Sequence, residues 1–132
     1  MEYLLDTSVL IELIRQKEIA WSFIGSHKKD VFFTSNICVA EIFEGIYREK
    51  NENISRKKEF FEILLKSFEV LDFDKEQAEI AGRVRAKLSS TGKLIGDLDI
   101  LIAASAISLG AILLTYNPKH FKRIDNLQVV AL

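Results

Sequence analysis

The stretch Leu94–Tyr116, LIGDLDILIAASAISLGAILLTY, decides the fold. From about residue 97 to 109 it is as apolar as a buried helix, and Gly110 supplies a helix C-terminal signal. AILLTY (111–116) follows at once as a short apolar run, the pattern of a buried strand. A helix that passes directly into a buried strand is half of a crossover unit, and the same alternation runs along the chain. EYLLD (2–6) is a buried strand feeding the helix TSVLIELIRQ, for which Thr7 or Ser8 is placed as the cap. IAWSFIGSHKK reads as a second short helix. DVFFTS is a strand leading into the helix ICVAEIFEGIYREK, with Ser35 or Asn36 as its cap. Residues 55–67 form an amphipathic helix, FEVLDF a strand, residues 75–90 another helix, and LQVVAL the last strand. Strands separated by helices need crossover connections. The expected fold is therefore α/β, with a mostly parallel sheet of about five strands covered on both faces.

Composition bounds the function. The 132 residues fit one domain, 1–132, without repeats or low-complexity linkers, and a hydrophobic share of 48% supports a packed core. Eighteen Lys and Arg stand against 19 Asp and Glu, a net charge of −1. That balance argues against nucleic-acid binding by bulk positive charge but allows a local basic patch. A lone cysteine, Cys38, excludes an internal disulfide and fits a reducing compartment. MEYLLDTS lacks the basic start of a signal peptide, and no apolar run reaches membrane-spanning length, so the expected location is the cytoplasm.

In parallel α/β folds the active site lies beyond the carboxyl ends of the strands. Asp6 is the first acid there, closing strand one, where a carboxylate is costly unless paired, hydrogen-bonded or bound to a cation. A helix cap is the plain alternative, although Thr7 and Ser8 can do that job, and Ser8 can also hold the Asp6 carboxylate. Glu41 lies about one turn into the helix after strand two. It shares a polar stripe with Glu44 and Arg48, ordinarily a solvated face, but its setting CVAEIF is apolar on both sides. Glu44 reads as solvated or paired with Arg48.

Asp97 and Asp99 open the apolar helix. One acid in a first helical turn is ordinary, being favoured by about 0.3–1 kcal/mol through the macrodipole. Residues two apart point to nearly opposite sides, so the pair does not serve one ligand equally. Asp99 shares its face with Ile102, Ala103 and Ala106 and is the inward candidate, whereas Asp97 follows Gly96 as a cap or supporting residue. Thr115 ends a buried strand and Asn117 follows at the same edge, where Asn-Pro is also a common turn starter. His27 and His120 sit in polar, basic stretches and read as surface residues.

Carboxylates about 5 Å apart repel by about 3 kcal/mol per pair at an effective dielectric near 20, so Asp6, Glu41 and Asp99 on one rim need a cation. All-oxygen donors suit Mg²⁺ or Mn²⁺, ions that activate water for phosphodiester hydrolysis. The sequence has no glycine-rich phosphate loop, no Ser/His/Asp order and no zinc spacing.

On these residues the chain resembles PIN-domain proteins, specifically the toxin component of VapBC-type toxin–antitoxin pairs. The resemblance runs through LLDTSVLIELIR, SNICVAEIFEGI and KLIGDLDILIAASAISLGAILLTYNPKHFKRIDNLQVV. It implies a compact three-layer α/β/α sandwich and a Mg²⁺- or Mn²⁺-dependent endoribonuclease. The family's first, second and third acids fall on Asp6, Glu41 and Asp99, and its fourth acidic position falls on Asn117, where relatives carry Asp or Asn. Thr115 matches the hydroxyl that helps hold the attacking water, Ser8 the small polar residue beside the first acid, and Asp97 a position often acidic.

The resemblance also implies a homodimer held inactive by a small antitoxin that binds the middle helices, roughly 43–68. Ile46, Tyr47, Phe60 and Phe61 there suit a partner, or simply pack on one another. Lys119, Lys122 and Arg123 are candidates for RNA contact, or an ordinary solvated turn. Two other readings compete. A PIN-like module could have lost catalysis and survive as a binding protein. A receiver-like phosphoacceptor domain would use Asp72 or Asp74 at the end of the third strand, but it needs two adjacent acids after strand one, where LLDTS has one. It also needs a lysine closing a late strand, where this chain has Thr115.

Overall fold

A computed structural model describes residues 1–50 and 53–132. The strands are β1 (Glu2–Leu5), β2 (Val31–Ser35), β3 (Glu69–Leu71), β4 (Ile112–Thr115) and β5 (Val129–Ala131). They form one sheet in the order β3-β2-β1-β4-β5, and every neighbouring pair is parallel. The helices between them are α1 (Thr7–Ile14), α2 (Glu18–Ser26), α3 (Asn36–Tyr47), α4 (Ile54–Leu65), α5 (Lys75–Ser90), α6 (Asp97–Leu109) and α7 (Pro118–Phe121). Helices on both faces of the sheet give the expected three-layer α/β/α sandwich.

The centre of the sheet explains why the chain must fold this way. Leu4 pairs with Phe33 on one side and Leu113 on the other, and Leu5 pairs with Leu114. All five of these side chains are buried, with Leu4, Leu5, Leu113 and Leu114 wholly so. Burying a side chain of this size contributes about 1.5–3 kcal/mol. The α6 run Ala103-Ala104-Ser105-Ala106 is also buried, small side chains that let the helix lie close to its neighbours. Its one hydroxyl is satisfied, because Ser105 Oγ donates to Gln77 Oε1 at 2.9 Å. Gly110 ends α6 at φ 71°, a left-handed conformation that glycine adopts without a Cβ penalty.

Topology places the site. From β1 the chain builds outward through β2 and β3, then returns to the other side of β1 with β4. The order therefore reverses between β1 and β4, and the crevice beyond their carboxyl ends is the switch point where such sheets bind ligands. Asp6 follows β1 there, and Thr115 closes β4.

Several local expectations change. Asp6 itself caps α1: it is extended (φ −69°, ψ 160°) and its side chain accepts from Thr7 N–H. Thr7 and Ser8 are already inside the helix, so their hydroxyls are directed elsewhere. Ser35 Oγ caps α3 by accepting from Cys38 N–H at 3.3 Å. The Asn-Pro turn continues as α7, with Pro118 at its first positions, where a missing N–H costs nothing. Helix α3 stops at Tyr47, short of the expected Lys50. Of the four apolar residues assigned to a partner or to packing, Ile46 and Phe61 are buried in the core. Phe60 is half-buried, and Tyr47 is exposed and stacked on Phe43. Residues 51 and 52, inside the expected partner-binding segment, lie outside the described residues. His27 is half-buried rather than a surface residue: it stacks on Phe23 with ring centroids 4.0 Å apart.

Candidate active site

Asp6 is the anchor. Its backbone N–H donates to Leu114 O at 3.0 Å, extending the β1–β4 ladder by one rung, and the residue is only 4% exposed. A carboxylate this buried needs donors, and three reach it. Thr7 N–H donates to Oδ1 at 2.8 Å. Ser8 Oγ and Thr115 Oγ1 donate to Oδ2 at 2.9 and 2.7 Å. Each hydroxyl also accepts a backbone N–H from the turn after β4: Tyr116 to Ser8 at 3.0 Å, and Asn117 to Thr115 at 2.9 Å. Chains of this kind polarise one another and fix the acid, its helix and the turn as one unit. The expected Ser8–Asp6 hydrogen bond is present.

Glu41 comes from the second turn of α3. Thr7 Oγ1 donates to Glu41 Oε1 at 2.7 Å, so Thr7 links the first two acids through its own backbone and side chain. Burial pushes the Glu41 carboxyl above its ordinary value; the Thr7 hydrogen bond opposes this, and the charges of Asp6, Asp99 and Glu44 add to it. Asp99 is raised likewise, first by burial and then by the charge of Asp6, against the opposing charge and hydrogen bond of His120. The three carboxylates thus feel one another across the rim, although they come from residues 6, 41 and 99 of the chain.

The donor set fits a hard divalent cation. It is all oxygen, its members destabilise one another as anions, and Glu41 Oε2 and Asp99 Oδ1 carry no hydrogen bond among the described residues. Among the described residues, no three His, Cys, Asp or Glu side chains already stand around one point as a metal cage. Asp6 is the buried, fixed member of the set, and Glu41 and Asp99 are the two less buried acids.

The remaining candidates separate. Asp97 points away from the cluster: Arg85 Nε donates to its Oδ1 at 3.1 Å, and its side chain is 73% exposed. It does not cap α6 either, since Gly96 is the N-cap and no side chain bonds there. Two residues of helix turn it to the other side, as the 100° step requires. Glu44 pairs with exposed Arg48 at 3.5 Å. Asn117 is exposed at the rim, held by its backbone N–H rather than by a side-chain cap.

His120 is the residue that sequence reasoning missed. Its imidazole is exposed, as expected, yet Nδ1 lies 3.1 Å from Asp99 Oδ2. The available signal was Pro118, since a proline favours the first turn of a helix and so marks α7, the element that carries His120.

Fold and site together define a three-layer α/β/α domain with acids at the switch point of its sheet and hydroxyls supporting the most buried one. The PIN domain family model matches residues 3–127. The chain is 35% identical over 124 residues to Ribonuclease VapC2 of Haemophilus influenzae, covering 94% of this chain and 92% of that protein. It is 28% identical over 128 residues to the tRNA(fMet)-specific endonuclease VapC of Shigella flexneri, covering 97% and 96%. Among solved structures, a chain of VapBC2 from Rickettsia felis, bound to a DNA fragment from their promoter, superposes with a TM-score of 0.93 at 30% identity. That match covers 100% of this chain and 99% of the other. The chain belongs to the PIN-domain family, among the VapC ribonucleases.

Proposed function

We propose that this protein is the endoribonuclease toxin of a toxin–antitoxin pair and that Mg²⁺ or Mn²⁺ is its cofactor. The observation that carries this reading is the charge cluster itself. Asp6 is clamped by three donors, while Glu41 and Asp99 are both raised by burial and by the charge of Asp6. A protein that keeps such a cluster at a switch-point crevice gains from a cation there.

Asp6, Glu41 and Asp99 would hold the ion, which when bound supplies Lewis acidity for water activation and for charge on the phosphate. The chain's own residues do the rest. Ser8 and Thr115 keep the Asp6 carboxylate in one orientation. Thr115 spends its proton on Asp6 and accepts the Asn117 N–H, so it acts by holding the acid and the turn in place. Asn117 faces solvent at the same edge and suits contact with substrate. RNA is the proposed substrate. A small antitoxin and a second copy of the chain are the proposed partners, the antitoxin resting on the VapBC complexes that this fold superposes on. Among the described residues no helix is long and apolar enough to cross a membrane. Cys38 is buried and free, in keeping with a cytoplasmic setting.

The test is cleavage of RNA across a titration of Mg²⁺ and of Mn²⁺, with Asp6→Asn and Asp99→Asn beside the unsubstituted protein. Cleavage is expected only with added ion and in neither variant. Cleavage that survives chelation or both substitutions rejects the mechanism.

A further inference from the structure

Beside the acids, and sharing Asp99 with them, lies a groove of about 330 Å³. Leu94, Ile95 and Gly96 line it from the segment before α6; Lys119, His120 and Arg123 line it from α7 and the residue pair beyond, and Asp99 shares the lining. Its two sides differ in chemistry. One carries an exposed leucine (47%) with a half-buried isoleucine, and the other three basic side chains. Arg123 Nη1 reaches Lys93 O at 3.5 Å, which ties the two sides together. Among the described residues Lys119 has no acidic partner, so its charge is available to a ligand. Lys122 is absent from the lining, so the structure divides the three cations of this segment into two groups.

We infer that this groove seats one nucleotide of the RNA next to the bond that is cut, base against Leu94 and Ile95, phosphate on Lys119 and Arg123. This rests on the ribonuclease reading above. The geometry favours a nucleotide because an apolar wall faces a cationic one, matching a base and the phosphate that follows it. The groove volume lies in the range of sites for small molecules, enough for one residue of a strand and too little for a duplex. A chain with net charge −1 has no general pull on RNA, so local cations beside the acids must supply it. The groove then sets which side of the acids the strand enters by, and the Leu94–Ile95 wall gives preference among bases by shape.

The experiment is fluorescence-anisotropy titration of a labelled single-stranded RNA oligonucleotide in chelator, over a series of salt concentrations. The proteins are the full chain, Lys119→Ala/Arg123→Ala, Arg123→Lys, Leu94→Ala, and Lys28→Ala/Lys29→Ala. The last pair removes the same charge just ahead of β2, at the amino ends of the strands and away from the acids. Two lost phosphate contacts reduce the slope of log K against log salt by about 1.4. Leu94→Ala weakens binding by about threefold or more with the slope unchanged. Arg123→Lys keeps the slope, which separates loss of charge from loosening of the Lys93 tether.

If the groove pair and the Lys28/Lys29 pair behave alike, the proposal falls. It falls equally if the groove pair loses antitoxin binding while RNA binding is untouched, since the groove then serves a protein. Cleavage by the unsubstituted chain with Mn²⁺ is read separately. Binding that depends on the groove without any cleavage refutes the ribonuclease reading alone, and cleavage with groove-independent binding refutes the groove alone.

Discussion

Thr115 Oγ1 stands 2.7 Å from Asp6 Oδ2, joining residues 109 apart, and the same oxygen accepts Asn117 N–H at 2.9 Å. One hydroxyl therefore fixes both the buried acid and the turn that carries Asn117. Its loss takes the partner from the Asn117 N–H and one of three donors from a buried carboxylate. Thr115→Val is expected to destabilise the fold by about 1–3 kcal/mol in urea unfolding. Cleavage should drop by about 10–100-fold, the usual cost of losing a supporting group around a metal site. Thr115→Ser should keep most of both, because it keeps the oxygen. A valine variant as active as the parent would show that the hydroxyl does not orient Asp6.

The metal-free protein should lose stability as pH rises out of the acid range. Glu41 and Asp99 hold protons more tightly in the folded state than in the unfolded one. Between the ordinary carboxylate pKa and the raised folded one, the folded state binds more protons, so its stability falls with increasing pH. Glu41→Gln removes one of these groups while its amide oxygen still accepts from Thr7. Melting temperatures in chelator from pH 4 to pH 8 should therefore fall less steeply for Glu41→Gln than for the parent. Parallel curves would mean that the Glu41 carboxyl is not raised in the folded state.

The strand–helix alternation was legible because its signals are local. Continuous apolar runs such as LLD and ILLT mark buried strands, and Gly110 marks the end of α6 whatever surrounds it. The choice of Asp99 over Asp97 as the inward acid rests on the helical step together with the small-residue face that Asp99 shares with Ile102, Ala103 and Ala106. The hydrogen-bond partners were less legible, because they depend on which elements the sheet order brings together. Thr7 looked like a cap, and became a link to Glu41 once α1 and α3 packed against each other. His120 looked like surface in a basic stretch, and its approach to Asp99 depends on α7 forming at all. Ile46 and Phe61 could not be told from docking residues by hydrophobicity, which is the same for a core and for an interface.

His120 should tune the acid side of activity. Its charge and hydrogen bond hold Asp99 lower than burial and Asp6 alone would leave it. His120→Ala removes that opposition, so Asp99 keeps its proton to higher pH. A proton and a divalent ion compete for the same oxygens. The rising acid limb of the cleavage profile should therefore move to higher pH in His120→Ala, with saturating ion moving it back. A limb that stays in place would mean that Asp99 is not the group titrating there.

Asp97 and Asp99 are two residues apart, and they should differ sharply when neutralised. Asp97 lies on an exposed ion pair with Arg85, an interaction worth about 0–1 kcal/mol. Asp97→Asn is thus expected to leave cleavage within about twofold, since nothing that it touches reaches the acids. Asp99→Asn removes a carboxylate that faces Asp6 and Glu41, and should cost more than the roughly 10–100-fold typical of a supporting group. It should also abolish the rise in melting temperature expected of the parent with Mn²⁺, because an ion that binds only the folded state stabilises it more the tighter it binds. Melting curves with and without Mn²⁺ on both variants read this without any RNA present. Should Asp97→Asn lose the Mn²⁺ response while Asp99→Asn keeps it, the assignment of inner and outer acid is reversed.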